Sequence, residues 1–116
     1  MKFSLLMSCF LLSILSMNAQ QSIAGVWNTG NDNTKIEITE VDGVYEGRIF
    51  SSDNDKAPIG KRLLKDVQLV DGEWQGKLYA AKREEWMDAV LEATGDELAI
   101  TVKAGWVSRT VEWSRE

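Results

Sequence analysis

The chain has 116 residues, enough for one small domain. Its 13 Lys and Arg against 18 Asp and Glu leave a formal net charge of -5, which argues against a nucleic-acid partner held by phosphate contacts. With no His and one Cys, a zinc site, a Cys-His or Ser-His-Asp triad and a disulfide framework are excluded, and no cofactor is implied.

The first twenty residues read as an address. Lys2 supplies a positive start, and Phe3 to Met17 is apolar apart from Ser4, Ser8, Ser13 and Ser16. Asn18-Ala19-Gln20 then turns polar, with small Ala19 at a cleavage point. This order of charge, apolar run and small residue predicts a secretory signal peptide over residues 1–19. The run is shorter than the roughly 20 residues of a spanning helix, so a retained anchor is the weaker reading. Cys9 sits inside the run, because Phe10-Leu11-Leu12 continues past it. A lipid-anchoring site is therefore disfavoured, and Cys9 reads as one more apolar residue. Cleavage leaves residues 20–116 as one domain with no Cys, no membrane span and, through the loss of Lys2, a charge of -6. The expected location is the periplasm, or outside the cell.

Short alternating runs follow. Ile36 and Ile38 oppose Lys35, Glu37 and Thr39, and Tyr45, Gly47 and Ile49 share a face of the next run. Trp74, Gly76, Leu78 and Ala80 alternate against Glu73, Gln75, Lys77 and Tyr79. Leu98, Ile100 and Val102 alternate against Ala99, Thr101 and Lys103, and Val107, Val111 and Trp113 share a face of the last run. Asp42-Gly43, Asp71-Gly72, Gly95-Asp96 and Ala104-Gly105 stand between such runs as hairpin signals. Period-two patterning over so many runs predicts antiparallel sheet. Ser51 to Arg62 is the longest polar stretch, holds the single Pro58 and reads as a loop. Glu84 to Ala93 is ambiguous: Trp86, Ala89, Val90 and Ala93 have helical spacing, whereas Met87, Ala89 and Leu91 alternate as in a strand.

Five Trp are many for this length. Trp27, Trp74 and Trp113 have apolar neighbours on strand faces and read as core. Trp86 and Trp106 lie beside charges or turns and, with Tyr79, are the candidate binding residues. Asp53-Asn54-Asp55 lacks the Gly and terminal Glu of a calcium loop and reads as a solvated turn, so no metal site is expected. Glu84-Glu85, Asp88 and Asp96-Glu97 are sequence neighbours that read as charged faces, not as a pair across a cleft. No catalytic constellation is found.

The order of motifs is more specific than any one of them. Gly25-Val26-Trp27 comes first, then Tyr45-Glu46-Gly47-Arg48-Ile49. Trp74-Gln75-Gly76-Lys77-Leu78-Tyr79 follows, and Arg109-Thr110-Val111-Glu112-Trp113-Ser114-Arg115 closes the chain. Over Ile23 to Arg115 this resembles the secreted bacterial domain-of-unknown-function family numbered 2147. The segments Ala80 to Trp86 and Ala104-Gly105-Trp106 depart from that family's usual pattern.

The resemblance implies an all-β, single antiparallel up-and-down barrel of about eight short strands, lipocalin-like, exported to the periplasm. It turns Glu84 to Ala93 towards strand. The strands are then expected at 23–29, 34–41, 44–51, 65–70, 73–80, 84–93, 97–103 and 106–114. It also implies that the first-strand Trp27 packs under a basic residue from the last strand, Arg115 or failing that Arg109, as a cation–π contact. Gly25, Trp27, Gly47, Trp74, Gly76, Trp113 and Arg115 form the structural signature. The first functional expectation is a monomeric, non-catalytic binder of a small apolar ligand, since an eight-stranded interior holds side chains or one small ligand. The alternative is an envelope protein-interaction module acting through its surface and loop 51–62.

Overall fold

The computed structural model describes Ser22 to Glu116. The expected signal peptide at 1–19, with Cys9, lies outside the described residues. Eight strands run in order: β1 (Gly25–Asn28), β2 (Lys35–Val41), β3 (Val44–Ser51), β4 (Arg62–Val70), β5 (Glu73–Ala80), β6 (Glu85–Thr94), β7 (Glu97–Ala104) and β8 (Val107–Arg115). Each pairs antiparallel with the next, and β8 returns to β1, so the sheet closes as the expected eight-stranded barrel. Closure removes the free edges that an open sheet of this size would expose.

The turns follow their residue chemistry. Asp42 and Gly43 have φ of 53° and 83°, and Asp71 and Gly72 have 51° and 80°. Two positive φ values in a two-residue loop are the type I′ pattern, which Asp-Gly tolerates best. The β6–β7 and β7–β8 loops instead place Gly95 (φ 61°) and Gly105 (φ 66°) first, as in type II′ turns.

Glu84 to Ala93 resolves as strand β6, not helix. Its Ala89 and Leu91 are buried, opposite Gly76 and Trp74 on β5 and Val102 and Ile100 on β7. Two flanking strands stabilise period two over the helical spacing of the same residues.

Strand β4 begins at Arg62, three residues before the expected start at 65, so the loop shortens to residues 52–61. Asp66, at φ 54°, sits where the β4–β5 register shifts. This bulge puts Leu64 and Val67, three residues apart, both into the core. Alternation is broken there, which concealed the first turnward residues of the strand.

The inward side chains make one core: Ile23, Trp27, Ile36, Ile38, Ile49, Leu64, Val67, Trp74, Ala89, Leu91, Leu98, Ile100 and Trp113. Gly76 lets the bulge approach. A Cβ there would stand 2.5 Å from Val67 Cγ2 and 2.9 Å from the Lys65 carbonyl oxygen.

Closure is the narrowest part of the sheet. The register between β1 and β8 covers only Trp27 with Arg115 and Asn28 with Ser114. Side chains complete it. Arg115 places its guanidinium carbon 4.2 Å from the Trp27 ring centroid. Its Nη1 donates to the Ala24 carbonyl and its Nη2 to the Ser22 carbonyl, each at 3.1 Å. Trp27 Nε1 donates to the Ile23 carbonyl at 2.9 Å. The expected partner is therefore Arg115, and Arg109 lies exposed, paired with Val102. On the outer side Glu116 accepts from Lys35 Nζ at 2.9 Å and from Asn28 Nδ2 at 3.2 Å. These two contacts, Lys35 first, hold its carboxyl below the usual value.

Arg115→Ala is expected to cost about 2 kcal/mol in urea unfolding, from one cation–π contact and two charge-assisted hydrogen bonds. Arg109→Ala should stay within about 0.5 kcal/mol. Equal losses would refute the assignment. The stability that Glu116 contributes is present above the ordinary carboxylate range and is lost as pH falls through its lowered pKa. Glu116→Gln should flatten the acid limb of a stability–pH profile and leave the limb above neutrality unchanged.

Candidate functional site

Two of the three aromatic candidates meet. Tyr79 on β5 and Trp86 on β6 are cross-strand partners. Since Leu78 and Ala80 belong to the inward set of β5, both rings lie on the barrel's outer face. Their centroids are 5.4 Å apart at 66°, an edge-on contact. The third candidate, Trp106, is placed elsewhere. It occupies the second position of the β7–β8 turn, is 97% exposed and makes no ring contact with either among the described residues.

Three cations cover the Tyr79–Trp86 pair. Lys61 Nζ lies 4.1 Å from the Tyr79 centroid. Lys65 Nζ lies 4.4 Å from the Trp86 centroid, and the Arg62 guanidinium carbon 5.7 Å from it. Lys61 and Arg62 lie in the 51–62 stretch that the alternative expectation assigns to partner binding, whereas Lys65 falls outside it, and nothing in the sequence places any of the three over a ring. The early start of β4 is what brings the cations beside β5 and β6.

The charges around the platform divide into paired and unpaired. Arg62 reaches Glu46 at 3.7 Å, and Glu46 also holds Arg48 at 2.7 Å. Lys77 and Asp88 pair at 2.7 Å one step along the same face. Their hydrogen bond is the main cause that raises the Lys77 pKa and lowers that of Asp88. Lys61 and Lys65 have no ion-pair partner among the described residues. Each therefore keeps an ammonium with its ring contact and free donor positions.

The signature residues serve the interior. Trp27, Trp74 and Trp113 are core, Gly47 and Gly76 face the neighbouring strands, and Gly25 and Arg115 belong to the closure. Trp74 Nε1 is buried with no hydrogen-bond partner, and its ring stands edge-on to Tyr45 with centroids 5.0 Å apart. An open cleft of about 250 Å³ lies beside it, bordered by Glu73, Trp74, Leu91 and Ala93. In the 52–61 loop Asn54 Oδ1 accepts from the Lys56 amide at 2.9 Å, a local turn contact. Among the described residues no group of three or more carboxylates gathers at one point.

No protein-family model matches the chain, and no curated protein matches it at significance.

A double-mutant cycle on Lys65→Met and Trp86→Leu is expected to give a coupling of about 0.5–1 kcal/mol, the range of an exposed cation–π pair. Lys65→Met alone should shift the Trp86 part of the fluorescence. A coupling of zero would remove the contact as a feature of the platform.

Proposed function

We propose that this chain, exported to the periplasm as a monomer and related to family 2147, is a non-catalytic binding module that works through its outer surface. The platform of Tyr79, Trp86, Lys61, Arg62 and Lys65 receives an anionic group of its partner. The reading is carried by one observation: Lys61 and Lys65 stand over aromatic faces with no ion-pair partner among the described residues. An ammonium already held against a ring loses little side-chain freedom on meeting an anion. Lys61 and Arg62 of the platform belong to the 51–62 stretch that the alternative expectation singled out. A core holding Trp27, Trp74 and Trp113 favours the surface over the interior as the place of binding.

The reading of a small apolar ligand retains one specific support. The cleft of about 250 Å³ is bordered by Trp74, Val90, Leu91 and Ala93, apolar surface of the kind such a ligand would meet.

Titration with poly-glutamate at low salt is expected to change the Trp86 fluorescence and to weaken as salt rises. The variant Lys61→Gln with Lys65→Gln should stay folded, losing about 1–2 kcal/mol with its two cation–π contacts, and should bind about tenfold more weakly. Binding that is indifferent to both substitutions would overturn the platform. Native against denaturing mass spectrometry of the protein from its host tests the cleft reading. Excess mass lost on denaturation, and absent in Trp74→Phe, is the result that reading requires.

A further inference from the structure

An up-and-down barrel sorts its connections by end. The β1–β2, β3–β4, β5–β6 and β7–β8 connections gather at one end, and the β2–β3, β4–β5 and β6–β7 turns at the other. Charge follows this sorting. Within two residues of the three turns of the second end there are six Asp or Glu and no Lys or Arg. Within two residues of the four connections of the first end there are seven Lys or Arg against five Asp or Glu.

Exposed apolar side chains mark the same basic end. Trp106 at the β7–β8 tip is 97% exposed, and Ile59 in the β3–β4 loop is 60% exposed. Phe50 and Val107, at the adjoining strand ends, are more than half exposed. The acidic end also exposes Val41, Leu69 and Val70, but ringed by carboxylates alone.

We infer that the basic end docks on an anionic phospholipid surface, with Trp106 entering the headgroup region. This rests on the reading of the platform as an anion-binding surface and names its partner as lipid. Trp settles at the boundary between headgroups and hydrocarbon because its ring is apolar and its N–H is polar. Lys82 in the β5–β6 turn and Lys61, which have no ion-pair partner among the described residues, meet the lipid phosphates, joined by Arg83 and Arg62 from their loose 3.7 Å pairs with Glu85 and Glu46. The acidic end stands about eight residues of strand away, roughly 25 Å before tilt. That exceeds the Debye length of about 8 Å at physiological salt, so its repulsion is largely screened. The barrel does not span the bilayer in this arrangement. Its outward strand positions include Glu37, Arg48, Lys65, Lys77, Asp88 and Glu92, where a spanning barrel carries an apolar band.

The test uses protein purified from its host, with its N-terminus read by mass spectrometry. Two vesicles are compared, phosphatidylcholine alone and phosphatidylcholine with about one-third phosphatidylglycerol. Binding at least about tenfold tighter to the anionic vesicles is expected, with a blue-shifted emission that Trp106→Phe reduces. Lys82→Gln with Arg83→Gln should weaken it roughly twentyfold, about fivefold per cation. Equal binding to both vesicles, or binding indifferent to Trp106→Ser, overturns the inference. An N-terminal apolar run left uncleaved would give the first of these outcomes, and the mass identifies it. Poly-glutamate binding that depends on Lys61 and Lys65 without vesicle binding overturns the lipid assignment and leaves the platform standing. Loss of both overturns both.

Discussion

The fold depends on how the last strand is fastened to the first. Strand β1 is four residues long and shares only two register pairs with β8. Backbone pairing over so short a seam is slight, with one further bond from the Glu116 amide to the Val26 carbonyl, so side chains reinforce it and Arg115 makes the most contacts. Arg115 stands over the Trp27 ring and donates to two carbonyls of the segment that leads into β1. Those carbonyls have no strand to pair with, and an unpaired backbone group near a core is costly. Gly25 makes room: its φ is 127°, and a Cβ would approach Arg115 Nη1 to 3.1 Å. Trp27 is fully buried, so the same guanidinium also holds one wall of the core. A lysine could supply charge here but not the planar fork.

A sealed barrel without disulfides must take its stability from packing. Three Trp and ten smaller apolar residues make that packing in the described residues. The cost falls on the sheet, which must bend around large rings. Gly76 and the bulge at Asp66 are the local solution, because Val67 comes within 2.5 Å of where a Cβ would be. The bulge has a second effect on the outer face. It sets Lys65 over Trp86, so the cationic platform is a consequence of how the core is packed beneath it. Gly76→Ala is accordingly a change of the site as well as of the fold.

Much of the architecture was legible because period two and Asp-Gly turns are strong local signals. Seven of the eight strands begin within two residues of where alternation, read with the resemblance in motif order, places them, and the Arg115–Trp27 contact followed from the same resemblance. The exceptions have one cause. A bulge is invisible to a pattern that assumes strict alternation, so β4 was read three residues short. With β4 begun at 65, Arg62 had no strand neighbour and Lys65 stood at the strand's edge, so the rings that Lys61, Arg62 and Lys65 cover could not be named. Trp86 was found because it stands among charges, but its partner set was not. Helical spacing in Glu84 to Ala93 was real in the sequence and irrelevant in the barrel, where neighbours on both sides decide.

The separation of charge between the two ends has a local explanation that must be weighed. Type I′ turns favour Asp-Gly because both central residues need positive φ. Two of the three turns at the acidic end are of this kind, and Asp42 and Asp71 have the required φ. Turn chemistry thus accounts for Asp42 and Asp71, for Asp96, which follows Gly95 in its turn, and for Glu40, whose Oε2 accepts from the Gly43 amide at 2.7 Å. It does not account for Glu73 and Glu97, nor for the absence of any lysine among the six. The opposite end differs. The β5–β6 turn has a residue at positive φ, Glu84, yet uses neither Gly nor Asn there and precedes it with Lys82-Arg83. The Glu84 φ of 53° is disfavoured for its residue type. A turn chosen for its backbone alone would place Gly or Asn at that position, so the composition of this connection answers to something outside the fold. The same holds for Trp106 at the β7–β8 tip: the turn requires Gly105, but nothing in a type II′ turn requires a fully exposed indole beside it.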